Sequence, residues 1–127
     1  MEDSGPQTLE LVTDGSYCYE PGFALLSYVE SEMTGLEGVV TSFRIEDGQT
    51  VTLRRTGKVN AEMVFDRRQA HESLYDVGFG AMMISVVTED MTVLLNEHGG
   101  VLDLDYRVEV EHTLCSRNRY HIEIQTI

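Results

Sequence analysis

The chain has 127 residues, of which 42% are hydrophobic and 24% are charged, a composition typical of one globular domain with a substantial core. Its formal net charge is −13, from 22 acidic and 9 basic residues. Because such a surface repels phosphate backbones and anionic lipid headgroups, we expect neither nucleic acid nor a membrane as a partner.

The amino-terminal residues 1–6 are polar and are expected to be frayed. They contain no basic segment followed by an apolar one, and no apolar run in the chain approaches the roughly 20 residues of a membrane span. The sequence therefore predicts a cytoplasmic protein, in which Cys18 and Cys115 are reduced thiols. A disulfide between them, possible if the first and last strands pair, is the less favoured alternative.

Short runs of alternating apolar and polar residues, separated by turn residues, follow one another along the chain. Such alternation predicts β-strands with one buried and one solvated face. The runs begin with Leu9, Leu11 and Thr13, after which Asp14-Gly15 predicts a tight turn. The later runs cover residues 17–19, 23–32, 39–45, 51–55, 59–65, 71–75, 82–88, 93–95, 101–110 and 120–124.

The turns between these runs are marked by specific residue pairs. Asp47-Gly48 is the strongest hairpin signal, because both central residues of a type I′ turn need positive φ. Further turns are predicted at Val77-Gly78, near Glu89-Asp90 and at Gly99-Gly100. A helix over residues 81–95 is the competing interpretation, but frequent Val and Thr and the lack of a capping box favour two strands there.

The clearest strand is residues 101–110, where Leu102, Leu104 and Tyr106 share one face and Asp103 and Asp105 the other. About ten such strands joined by short connections, without repeats or a linker, predict one all-β domain over residues 1–127. The favoured fold is a single antiparallel up-and-down β-barrel of about 8–10 strands, closed if the last strand meets the first.

The segment Y-V-E-S-E-M-T-G-L-E-G at residues 28–38 resembles the Y-x-E-S/T-E-M-T-G-x-E-G segment of the YwiB-like family. Matches in the family's order continue from Leu9 onward, among them Leu53, Arg55, Gly57, Met63, Val64, Phe65, His71, Tyr75, Phe79, Gly80, Leu102, Leu104, Asp105 and Tyr106. The resemblance implies a small bacterial intracellular protein with a calycin-like barrel, similar in outline to lipocalins. It implies no catalytic residues.

One departure from the family pattern lies at the amino terminus. Relatives usually begin with an additional strand before the segment that resembles residues 8–13, and this chain has only polar residues and Pro6 there. An open sheet edge at that point would favour a homodimer formed by strand pairing.

Arg55 is the most informative candidate site residue. It is in phase with Val51 and Leu53, so alternation points it into the barrel, where a guanidinium could bind a ligand carboxylate or phosphate. Tyr28, Phe43 and Tyr106 would form the apolar wall of such a site. The alternative, which we favour, is a structural role in which Arg55 pairs with an internal glutamate or lies near the barrel mouth.

Glu30 and Glu32 share a face with Tyr28 and could serve as counter-ions of Arg55 or as a general acid and base. The favoured alternative is a solvated strand end, or hydrogen bonding within the following loop through Thr34. His71 completes the set that an enzyme would use.

Metal binding has little support in the sequence. His112, Cys115, His121 and Glu123 could in principle ligate zinc, but the chain has no C-x-x-C pair. No metal and no cofactor are therefore expected.

Three functions remain open from the sequence. The first is a non-enzymatic binding protein for a small amphipathic or acidic ligand, anchored by Arg55. The second is a protein–protein interaction or scaffold module whose barrel interior is filled. The third, least favoured, is an enzyme using Glu30, Glu32, Arg55 and His71.

Overall fold

The computed structural model describes residues 12–76 and 80–127. Within these two ranges, each strand pairs antiparallel with the next in one nine-stranded sheet of order β1 to β9, which confirms the predicted all-β, up-and-down fold. A single 3₁₀ turn, Glu32–Thr34, lies between β2 and β3. The strands are β1 (Ser16–Glu20), β2 (Phe23–Val29), β3 (Val40–Glu46), β4 (Thr50–Thr56), β5 (Asn60–Phe65), β6 (His71–Asp76), β7 (Ala81–Asn96), β8 (Gly99–Val110) and β9 (Thr113–Gln125).

The sheet curls so that its concave face packs against itself. Phe65 on β5 meets Tyr106 on β8 edge to face, with ring centroids 4.7 Å apart. Phe43 on β3 meets Tyr120 on β9 in the same way at 5.6 Å. The result is a half-barrel, and within the described ranges β1 and β9 are the two ends of the strand order and do not pair with each other.

The core is formed by the concave side of the strands, as the alternation predicts. Burying each large apolar side chain there contributes about 1.5–3 kcal/mol. The predicted stripe Leu102, Leu104 and Tyr106 is buried, whereas Asp103 and Asp105 lie on the other face. The least exposed apolar side chains are those of Val39, Phe43, Val51, Leu53, Phe65, Val86, Leu102 and Leu104.

Two hairpin turns have positive φ at both central residues. Asp47 (φ 54°) and Gly48 (φ 64°) confirm the predicted hairpin between β3 and β4. Glu111 (φ 53°) and His112 (φ 66°) form the β8–β9 turn without a glycine. The sequence contained no strong signal for this second turn, because Glu-His is not one of the Asn-Gly, Asp-Gly or Gly-Gly pairs that mark a type I′ turn.

The predicted turn near Glu89-Asp90 is wrong, as is the alternative helix. β7 runs through this region as one 16-residue strand. Its register against β8 shifts between Thr88 and Asp90, so a β-bulge absorbs the extra residue and pairing resumes. Polar residues that look like a turn are here the irregularity of a continuous strand.

Gly99 and Gly100 also depart from expectation, because they open β8 and the turn lies at residues 97–98. Gly100 has φ 138°, and a Cβ there would collide with the carbonyl oxygen of Leu94. The glycine is therefore needed for close strand approach. The predicted strand at Leu9 and Leu11 and the predicted turn at Val77-Gly78 lie outside the described residues; Val12 and Thr13 precede β1 without strand pairing.

Within the ranges described, no helix has the length and apolar character needed to cross a membrane.

Candidate ligand-binding site

Arg55 lies on the concave face of β4, as its phase predicts. Its backbone is in register with Thr41 on β3 and Ala61 on β5, and the same row continues through Tyr75 on β6 to Met82 on β7. The Arg55 side chain is only 12% exposed. The curl of the sheet brings this row opposite β9.

The guanidinium of Arg55 is held by few partners. Its Nη2 donates a hydrogen bond of 2.7 Å to the hydroxyl of Tyr120. Its Nε lies 4.0 Å from Oε2 of Glu30, which is close enough for an ion pair but too far for a hydrogen bond. The buried Nε has no hydrogen-bond partner among the residues described. A buried donor left in this state costs about 1–3 kcal/mol.

Glu30 follows β2 directly, and its side chain is 2% exposed. Oε1 accepts a hydrogen bond of 3.1 Å from Thr34, and Oε2 accepts one of 2.5 Å from Thr41. The expected hydrogen bond through Thr34 is therefore present, but the expectation of a solvated strand end does not hold for this carboxylate. Its oxygens are engaged by hydroxyls rather than by Arg55.

Aromatic side chains surround the Arg55 guanidinium. Tyr106 and Tyr120 stack with centroids 6.2 Å apart. Burial, followed by the nearby Glu30 carboxylate, raises the pKa of Tyr28, and burial followed by Tyr120 raises that of Tyr106. Both hydroxyls are therefore neutral at physiological pH. Phe43 is fully buried behind Tyr120 and supports the site without facing solvent.

The Arg55 guanidinium remains protonated. Burial by itself would lower the pKa of the guanidinium, but the Tyr120 hydroxyl and then the Glu30 carboxylate outweigh it, so that the pKa is raised. Arg55 is thus a permanent cation on the concave face.

The row of Arg55 opens to solvent at one side. Met82, at the β7 end of the row, is 49% exposed, whereas Ile84, the next residue on the same face of β7, is buried. Asn118, opposite Tyr106 in the β8–β9 register, is exposed as well. In the part of the chain that the structure describes, this end of the half-barrel therefore presents exposed side chains on its concave face.

Two candidate residues lie apart from Arg55. Glu32 is exposed in the 3₁₀ turn. His71 lies on β6 four residues from Tyr75, and its Nε2 is 3.3 Å from Oδ2 of the buried Asp66. The structure thus brings Arg55, Glu30, Tyr28 and Tyr106 together and places Glu32 and His71 elsewhere.

Sequence reasoning missed Tyr120 and Thr41 as site residues. The alternation of Tyr120 with Ile122 and Ile124 already pointed it inward, and the same phase relation held for Thr41 and Phe43. What was absent was any indication that β9 lies opposite β4.

The histidines and cysteines do not assemble a metal centre in the part of the chain that the structure describes. His121 lies on the convex face between Asp103 and Glu123, and hydrogen bonds that its ring donates to these carboxylates, first that to Glu123, raise its pKa. Cys18 and Cys115 are exposed free thiols on β1 and β9.

Residues 1–122 match the protein-family model described as a domain of unknown function, DUF1934. The chain belongs to this family. Among solved structures, this DUF1934 chain is similar to the ywiB protein from Bacillus subtilis, with 24% sequence identity and a TM-score of 0.74 over 91% of this chain and 77% of that one. The two findings support the YwiB-like resemblance, and the structural match shows a shared fold. No curated protein matches the sequence.

Proposed function

We propose that this DUF1934 protein is a cytoplasmic, non-enzymatic binding protein for a small amphipathic ligand with an acidic group, and that Arg55 is the anchor. The observation that carries the proposal is the state of the Arg55 guanidinium, which is charged and on the concave face yet makes one hydrogen bond to the described residues, that to Tyr120. A guanidinium has five N–H donors. Most of the N–H donors of Arg55 are thus available to a ligand.

The surroundings of Arg55 favour an anionic group. Glu30 offsets part of the positive charge, but its oxygens accept from Thr34 and Thr41, and at 4.0 Å it does not complete the hydrogen bonding of Arg55. A carboxylate or phosphate could bind a guanidinium through two parallel hydrogen bonds. Such a ligand would accept hydrogen bonds from the N–H groups of Arg55 that the described residues leave without an acceptor.

The apolar part of the ligand would lie along the accessible side of the Arg55 row. Met82 offers a flexible apolar surface there, and Tyr75, its register partner on β6, is partly buried. Met adapts readily to ligands of different shape.

Native mass spectrometry of the protein purified from its own host tests the proposal. We expect a small molecule that remains bound under gentle activation and is released under harsher activation. Arg55→Gln should abolish its retention, whereas Arg54→Gln, one residue away on the convex face and paired with Glu62, should not. Equal retention by the two variants would exclude Arg55 as the anchor.

A titration with decanoate followed by amide NMR gives a second test that does not depend on the natural ligand. We expect shifts confined to residues around Arg55, Tyr106 and Met82, and their loss in Arg55→Gln. The absence of a ligand from the purified protein together with no decanoate-induced shifts would contradict the proposal.

A second candidate function, an interaction module, is favoured by the packing below the Arg55 row. Phe43, Leu53, Leu102 and Leu104 are at most 1% exposed, so the centre of the half-barrel is filled by side chains. Such a protein would act through its surface or through a sheet edge, as in a homodimer paired along an edge strand. A bare dimer by mass spectrometry, with amide-exchange protection of β9 that rises with protein concentration, would favour this function.

A further inference from the structure

A cleft of about 400 Å³ opens at the end of the half-barrel opposite the Arg55 row. It lies beside the turns that join β1 to β2 and β3 to β4, and the second half of β7 forms its other wall. Its lining includes Tyr19, Ala24, Ile45, Asp47, Val93 and Leu95. This volume falls within the range of roughly 300–1,000 Å³ that is usual for small-molecule sites.

The cleft is separate from the Arg55 site. In the strand register, Ala24 and Ile45 share a row with Val51, and Val51 precedes Arg55 by four residues on β4. Four residues of a strand span about 13 Å. The intervening row contains the fully buried Phe43 and Leu53, so the two sites do not connect through the interior.

The lining combines an apolar floor with one negative charge. Ala24, Ile45, Val93 and Leu95 are apolar and belong to the concave face. The carboxylate of Asp47 lies at the rim over Gly22, with its Oδ1 3.3 Å from the point where a Cβ of residue 22 would be. Gly22 therefore leaves the room that this carboxylate occupies.

No lysine, arginine or histidine lines the cleft, as far as the described residues show. Arg44 contacts the ring of Phe23 with its guanidinium carbon 5.3 Å from the ring centroid, but it also pairs with Glu46 at 3.7 Å on the convex face. A net charge of −13 adds a favourable potential for cations over the whole surface.

We propose that this cleft binds a small organic cation that carries an apolar group, such as an alkylammonium compound. The apolar group occupies the floor formed by Ala24, Ile45, Val93 and Leu95. The cationic head lies at the rim, where Asp47 supplies the opposite charge and the partly exposed ring of Tyr19 supplies a face for a cation. The site is independent of Arg55 and of the acidic ligand proposed there.

The test compares two probes with ten-carbon chains, decyltrimethylammonium and decanoate, each below its critical micelle concentration and followed by amide NMR. We expect decyltrimethylammonium to shift the amides around Gly22, Gly48 and Leu95, and decanoate to leave these amides unchanged. Equal shifts by both probes at the cleft would contradict the selectivity for a cation, and no shifts by decyltrimethylammonium there would overturn the proposal.

Two adjacent substitutions on β7 provide a matched pair. Val93→Phe places a ring in the cleft and should weaken decyltrimethylammonium binding at least about tenfold. Leu94 is 66% exposed and points to the other face of the same strand, so Leu94→Phe should leave the affinity for decyltrimethylammonium unchanged. An effect of equal size in both variants would indicate adsorption to the surface. The dispersed amide spectrum of each variant shows that it is folded.

The contribution of charge is tested by Asp47→Asn, because asparagine tolerates the positive φ of this turn position. An exposed ion pair is weak, so we expect an affinity about two- to fivefold lower for the cation. Binding of decanoate at the Arg55 row should not change. Unchanged affinity for the cation would remove Asp47 from the proposal, and with it the reason for the cation preference.

Discussion

Arg55 and Tyr120 are 65 positions apart in the chain and are joined by a hydrogen bond of 2.7 Å across the concave face. The bond links β4 to β9, two strands that are not neighbours in the sheet. It is therefore a contact that exists only because the sheet curls, and it connects the candidate anchor to the aromatic cluster of Phe43, Tyr106 and Tyr120.

Tyr120→Phe should destabilise the fold by about 1–3 kcal/mol, because it removes the acceptor of a buried guanidinium and retains the ring contacts. Urea denaturation measures the change in the free energy of unfolding. Tyr19→Phe, which alters an exposed ring on β1, is the control and should change it little. Equal effects would mean that the Arg55–Tyr120 bond contributes no net stability.

Glu30→Gln should also lower the free energy of unfolding by about 1–3 kcal/mol, since a neutral amide places an NH₂ group among hydroxyl donors and removes the charge beside Arg55. Glu32→Gln, two residues further on and exposed, should have almost no effect. Urea unfolding of the two variants under identical conditions distinguishes the buried carboxylate from the exposed one. A larger loss in Glu32→Gln would contradict the assignment.

Asp66 should make stability depend on pH in the acid range. Its side chain is 4% exposed, and hydrogen bonds from the side chain and then the backbone of Arg68, with a further one from His71, lower its pKa well below the ordinary value of 3.8. Because the folded pKa is depressed, the stabilisation is fully present above the unfolded value. It is lost as the pH falls from there through the folded pKa.

The measurement is the difference in unfolding free energy between the wild type and Asp66→Asn at a series of pH values. We expect this difference to be constant from about pH 7 to pH 5 and to shrink as the pH falls below about 4. Other carboxyl groups titrate in both proteins and largely cancel. A difference that does not vary over this range would show that the pKa of Asp66 is not depressed.

Gly100→Ala should destabilise the protein by at least about 3 kcal/mol, since the added methyl group collides with the Leu94 carbonyl oxygen and φ is unfavourable for alanine. Gly48→Ala should cost about 1–2 kcal/mol, because φ is positive there but an added Cβ would have no described residue beyond its chain neighbours within 4 Å. Thermal unfolding followed by circular dichroism ranks the two, and the reverse order would contradict the close strand approach at β8.

The sequence alone determined the strand pattern, the Asp47-Gly48 hairpin and the inward direction of Arg55. These features depend on local rules, because side chains alternate every two residues and a type I′ turn favours glycine. The same rules failed between Thr88 and Asp90, where only the register with β8 shows that polar residues form a bulge within a continuous strand.

The tertiary structure alone decided what surrounds Arg55. The burial of Glu30 depends on Thr34 and Thr41, which lie 4 and 11 positions away, and Tyr120 reaches Arg55 only because the sheet curls. His71 has the inward phase of a site residue, but its position along β6 places it beside Asp66 instead. Phase predicts the face on which a side chain lies, whereas its neighbours are set by strand register and by sheet curvature, which no short stretch of sequence encodes.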